Sequence, residues 1–204
     1  MTAETVLVPG ARRVEAALDS PVEETDTCVV ACPPHPQHGG HRGDRRLTAV
    51  SDFLTERGIA VLRFDYGDWA NGQGEREDVR NALRWAADRY ENVGLFGFSF
   101  GGTMAALAAA TTAVDLCGVA LLAPAAQVAD DLDAQATLAA IDAPLAFVHG
   151  TRDTTAQWTP FRRAAESTGA TITELSADHF FVGQSEAVAE AVGGFLLEHC
   201  GTGA

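Results

Sequence analysis

The chain has 204 residues, 47% of them hydrophobic, and its 28 acidic residues against 14 basic ones give a formal net charge of −14. That length suits one domain with a substantial core and is short for two. So anionic a surface argues against nucleic acid and acidic membranes as partners, and apolar runs such as "GVALLAPAA" fall far short of the ~20 residues of a membrane-spanning helix.

No internal repeat or proline-rich linker divides the sequence; a short apolar run followed by a longer amphipathic one recurs instead. The first segment, "TVLVPGARRVEAALDS", is assigned an antiparallel hairpin at a sheet edge. "TCVVACPP" (27–34) reads as a buried strand, and "GDRRLTAVSDFLTERG" as a helix with Leu47, Val50, Phe53 and Leu54 on one face and Gly58 as its stop. "IAVLRFDY" (59–66) is the next strand, followed by a glycine-rich loop and the helix "EREDVRNALRWAADRY". "NVGLFGF" (92–98) is a strand and "TMAALAAATTA" a helix. "CGVALLAPAA", "APLAFVHG" and "ATITELS" complete the strands, with helices around 130–140, 159–168 and 184–198. Continuous apolar strands alternating with helices predict a single α/β domain, its mostly parallel sheet covered on both faces. Functional residues then belong on the loops at the carboxyl ends of the strands.

Ser99 falls at such an end, inside Gly97-Phe98-Ser99-Phe100-Gly101, where a strand must turn into a helix within about one residue. Glycines two positions either side suit a tight, strained turn with no room for side chains. The serine hydroxyl would stand clear of the sheet over the positive end of a helix. A serine is a weak nucleophile without a base, so the test of chemistry is whether an acid and a histidine follow on later strand-end loops. Asp153 follows "APLAFVHG", and His179 follows the last strand in "ELSADHFFVG". The order Ser, Asp, His is one of the known orders of a catalytic triad.

From about residue 27 to 198 the chain resembles the α/β-hydrolase superfamily, in particular its small lidless type similar to dienelactone hydrolases. Besides Gly97 to Gly101, the resemblance rests on Pro34-His35-Pro36 with Gly39-Gly40 after the early strand, and on "ADHFF" around His179. It implies a serine hydrolase of a small acyl ester or thioester without a cap domain. Ser99 would be the nucleophile, His179 the general base and then acid, and Asp153 the group orienting the imidazole. It also implies an oxyanion hole formed by the N–H of Phe100 and a second N–H on the early loop; Pro36 has none, which makes Gln37 the expected donor. His35, Asp68 and Trp69 are expected to line the substrate pocket, and Asp65 to serve its turn structurally. The elbow serine departs from the cysteine of dienelactone hydrolases proper, and the loop "FDYGDWANGQGERED" lacks the "RG-x-G-x-S" form of relatives. The short 127–142 segment leaves room for one helix and no lid. Readings kept beside this one are a catalytically inactive binding protein of the same fold and a hydrolase of dienelactones or C–C bonds.

His35, His38 and His41 are spaced as loop ligands could be, yet no carboxylate or cysteine partner converges with them in sequence, so no metal is assigned. No cofactor is expected. His149 and His199 read as structural. Of the four cysteines, Cys28, Cys32 and Cys117 fall in or beside apolar strands as small buried hydrophobes, and with Cys200 they form no disulfide framework. All fourteen basic residues are arginines, with no lysine. That composition is similar to cytoplasmic proteins of extreme halophiles, where molar salt screens a densely acidic surface. The N-terminus lacks the cationic and apolar pattern of a secretory signal, so a cytoplasmic location is expected, with little use for a disulfide.

Overall fold

A computed structural model describes residues 2–129, 131–156 and 158–201. Eight strands form the main sheet in the order β1-β2-β4-β3-β5-β6-β9-β10. The hairpin β1 (Thr2–Val8) and β2 (Val14–Ser20) occupies one edge, with β2 antiparallel to β4 (Ala60–Phe64). From β4 onward, β3 (Thr27–Cys32), β5 (Asn92–Phe98), β6 (Leu116–Leu122), β9 (Leu145–Gly150) and β10 (Thr171–Leu175) run parallel. Their carboxyl ends therefore share one side of the molecule.

The central strands lack polar alternation because both faces are buried. Along β3, Cys28, Val30 and Cys32 enter one core while Val29 and Ala31 enter the other. The first core receives α2 (Gln73–Ala87), α3 (Phe100–Ala109) and α5 (Trp158–Ser167). The second receives α1 (Arg45–Thr55) and the C-terminal helix. In α1, Leu47, Val50 and Leu54 are wholly removed from water, each contributing about 1.5–3 kcal/mol by transfer. Asp44 caps this helix by accepting from the Arg46 N–H at 2.9 Å, and Gly58, with φ +83°, ends it in the left-handed conformation that favours glycine.

Two expectations are corrected. The helix expected around 130–140 begins only at Ala134: β7 (Gln127–Ala129) and β8 (Leu132–Asp133) form a small hairpin, followed by one turn of helix, α4 (Ala134–Thr137), and a 3₁₀ turn (Leu138–Ala140). Asp133 draws that turn together by accepting from the Ala136 N–H, and Leu132 is buried against Gly72. The second correction is a disulfide between Cys117 and Cys200. The last helix runs as α6 (Ser185–Val188), a π-helical turn (Ala189–Gly193) and α7 (Gly194–Cys200), which returns Cys200 to the amino end of β6. Its sulfur fits because Gly94 carries no side chain there: a Cβ would stand 3.1 Å from it. Cys28 and Cys32 are free and buried. Among the described residues no helix is long and apolar enough to cross a membrane.

Candidate active site

The strand β5 delivers Ser99 at its carboxyl end in a conformation side chains rarely adopt, φ 54° and ψ −118°. The turn is held by its backbone, the Ser99 N–H donating to Leu122 O at 2.8 Å and Ser99 O accepting from the Thr103 N–H at 3.1 Å. A Cβ at Gly97 would run into the carbonyl of Gly101, and one at Gly101 into the carbonyls of Cys32 and Pro33. The two glycines are thus demanded by close approach of backbone, and the elbow locks onto the end of β3. The helix α3 starts at Phe100, three residues before its predicted start, so its positive end lies at the elbow.

Asp153 follows β9. Its Oδ1 accepts from the N–H groups of Thr155 at 2.7 Å and Ala156 at 3.0 Å, leaving Oδ2 to accept from His179 Nδ1–H at 2.7 Å. With that nitrogen donating, Nε2 presents its lone pair to Ser99 Oγ, 2.9 Å away. The acid and imidazole side chains are 2% and 7% exposed, so their hydrogen bond meets little competition from water. Arg152 ties the two loops together, donating to Ser176 Oγ at 2.7 Å and Ser176 O at 3.0 Å. Beyond His179 the loop is anchored by buried Phe181 at φ 50° and by Arg46, whose guanidinium donates to Phe180 O at 2.8 Å and stacks over Phe98.

On the other side of Ser99 lies the loop after β3. His35 packs on His38, Trp69 and Phe100, with ring centroids 4.5, 4.6 and 4.7 Å away. Burial, and then His38 beside it, hold the His35 imidazole below the usual histidine range. Gln37 does not present a free donor: its N–H donates to His35 Nδ1 at 3.3 Å, capping the 3₁₀ turn Pro36–His38. Residues 33, 34 and 36 are prolines, so the remaining backbone N–H between Pro33 and Gln37 is that of His35. It makes no hydrogen bond among the described residues. His41 Nδ1 accepts from the Gly43 N–H at 3.0 Å, and among the described residues no three His, Cys, Asp or Glu side chains gather as metal ligands.

Trp69 thus lies beside His35 and Phe100, whereas Asp68 lines a separate pocket with Ala11, Arg12, Arg13 and Tyr66. Asp65 accepts from the Arg42 N–H at 2.6 Å and pairs with its guanidinium, tying the end of β4 to the loop before α1. What holds the Trp69 loop was not foreseen. Arg12, from the β1–β2 turn, donates to Asp78 Oδ1 at 2.9 Å and Asp68 O at 2.6 Å, while buried Glu75 accepts from the N–H groups of Ala70 at 2.9 Å and Gly72 at 2.7 Å. Burial outweighs Arg12 and keeps the Asp78 carboxyl above its ordinary range. Glutamate three residues after the helix-capping Gly72 was the available signal; nothing in the sequence pointed to Arg12. Burial also pushes the Cys28 thiol up to about 12 and that of Cys32 higher, so both stay neutral.

The arrangement can take a proton from Ser99 through Nε2, hold the resulting imidazolium against Asp153, and offer N–H donors to an anion forming at the hydroxyl. No protein-family model and no curated protein matches the sequence. Solved structures do. An α/β serine hydrolase homologue from Coxiella burnetii is 27% identical, with TM-score 0.82, 96% of this chain covered and 98% of that one. An α/β serine hydrolase without lid from Xanthomonas campestris is 21% identical, with TM-score 0.81 and 99% and 97% covered. The esterase domain of a Rhodothermus marinus protein is 21% identical, with TM-score 0.78 and 98% and 100% covered.

Proposed function

Because the chain matches the α/β-hydrolase superfamily, and among its solved relatives a member without a lid, we propose that it is a serine-dependent carboxylic ester hydrolase acting on a small acyl ester or thioester. The observation that carries the reading is the hydrogen-bonded line from Ser99 Oγ through His179 to Asp153, at 2.9 and 2.7 Å, assembled from three separate strand ends. In this reading His179 Nε2 removes the hydroxyl proton as Oγ attacks the acyl carbon, and Asp153 stabilises the imidazolium without taking a proton. The carbonyl electron pair moves onto oxygen, which the N–H groups of Phe100 and His35 receive; His35 replaces Gln37 because the latter is already bonded. The imidazolium then protonates the departing alcohol or thiol, leaving an acyl group on Ser99. Water, deprotonated by the same nitrogen, releases the acid.

A small soluble substrate is favoured because the described residues between β6 and β9 form the β7–β8 hairpin, α4 and a 3₁₀ turn, too little for a lid over the site. Activity without activation at a lipid interface is expected. The acidic, lysine-free composition further supports a cytoplasmic enzyme of a high-salt cell, and its melting temperature should rise steeply from dilute buffer to molar KCl; a flat profile would refute that part. The central test is a fluorophosphonate probe. It should label the folded protein on Ser99 alone, as read by peptide mass spectrometry, and a folded protein that stays unlabelled is no serine hydrolase.

A further inference from the structure

Among the described residues four large apolar side chains are exposed by more than half: Leu7 at 63%, Val22 at 91%, Phe180 at 55% and Val182 at 77%. Two of the four lie within three residues of His179. Their exposure is imposed by the backbone. The Phe180 N–H donates to Asp178 Oδ1 at 3.0 Å, its carbonyl accepts from Arg46 at 2.8 Å, and the next residue, Phe181, is buried at φ 50°. With both peptide groups of Phe180 bonded and its neighbour sunk in the core, its ring is presented to solvent from a fixed base. The ring lies 5.4 Å from that of His179, at 86° to it, while buried Phe98 lies 5.6 Å away from the same imidazole. Phe98 is covered by Arg46 and the core; Phe180 has an open face.

The chemistry of the proposed reaction says which half of an ester meets that face. The oxygen of the departing alcohol must come within hydrogen-bond reach of His179 Nε2 to take its proton, whereas the carbonyl oxygen turns toward the N–H groups of Phe100 and His35. The alcohol therefore extends on the imidazole side. We propose that Phe180 is the wall that selects the alcohol half of the substrate, favouring alcohols that carry a phenyl or alkyl group over compact polar ones. Its backbone is held before binding by bonds at both peptide groups, so packing an apolar group against the ring orders little of the main chain. This proposal rests on the serine-hydrolase reading above.

The test uses the whole protein and two ester series. In one, acetates of methanol, butanol and 2-phenylethanol vary the alcohol while its acidity stays similar; in the other, methyl esters of acids of increasing chain length vary the acyl group. Phe180→Ala should lower kcat/KM for 2-phenylethyl acetate about tenfold more than for methyl acetate, and Phe180→Trp should restore the preference. The acyl series should show no such trend with size. A loss equal across the alcohols, or one that follows acyl length, overturns the proposal. Fluorophosphonate labelling of Ser99 separates the two levels: a labelled enzyme with a flat alcohol series refutes the wall alone, and an unlabelled wild type refutes the parent reading and the wall with it.

Discussion

The two ends of the sheet are built differently. Among the described residues every non-glycine residue with positive φ lies beyond a carboxyl end: Asn71 after β4, Ser99 after β5, Ala123 after β6 and Phe181 after β10, with φ between 44° and 56°. The amino end is stitched instead. There Cys117 is bonded to Cys200, and Thr27 Oγ1 donates to the carbonyl of that same Cys200 at 3.4 Å. Each unfavourable backbone conformation costs about 1–3 kcal/mol, and closing an 83-residue separation with a disulfide contributes about 4.5 kcal/mol in the chain-entropy account. Strain collects where side chains must be aimed, and stabilisation where nothing has to be.

Substitutions at Ser99 and His179 should give the largest effect. Ser99→Ala and His179→Ala are each expected to reduce ester turnover by about 10⁴-fold or more while circular dichroism stays native; substantial residual turnover in either would remove the carboxyl end from the chemistry. Next comes the stitch. Cys117→Ala with Cys200→Ala should lower the melting temperature by about 10 °C, with little change in Ser99 labelling rate at 25 °C; a loss of labelling in a still-folded protein would show that the two ends are coupled. Smaller is the strain itself. Ser99→Gly should be as inactive as Ser99→Ala yet melt about 2–4 °C higher, because glycine accepts that backbone conformation and alanine does not. Equal melting points would mean the elbow stores nothing.

The smallest effect is a pH dependence. Burial and His38 lower the proton affinity of His35 in the folded state below the ordinary value of 6.5. As pH falls through 6.5 the unfolded chain takes up a proton that the folded one resists, so stability declines until the folded imidazole is itself protonated. His35→Gln should flatten the melting temperature between pH 7 and 5, and an unchanged slope would place the titration elsewhere.

Legibility followed the range of the forces involved. The elbow was legible because a strand that turns into a helix within one residue calls for glycines on both sides, and Asp153 because it follows the apolar strand β9, whereas His179 follows the half-polar β10 and was placed by chain order alone. The parallel sheet was plain from strands buried on both faces. The disulfide was hidden: Cys117 sits in an apolar strand as a free thiol would, and its partner is brought back only by the docking of α7. The β7–β8 hairpin escaped because three residues facing two cannot establish a period, and Leu132 is fixed by packing on distant Gly72 rather than by its neighbours. Gln37 was expected as a donor because Pro36 has no N–H; the sequence could not show that the His35 imidazole turns back to accept the Gln37 N–H.

The bond between Cys117 and Cys200 also closes a ring in the chain, and that ring contains both Asp153 and His179 but not Ser99. Thr154 and Thr155, just after Asp153, are exposed, and a protease recognition sequence inserted there would let the chain be cut. A single cut there would part the acid from the base along the backbone, yet the two pieces would remain one molecule. Their encounter would be governed by tether length, at an effective concentration of about millimolar, and not by dilution.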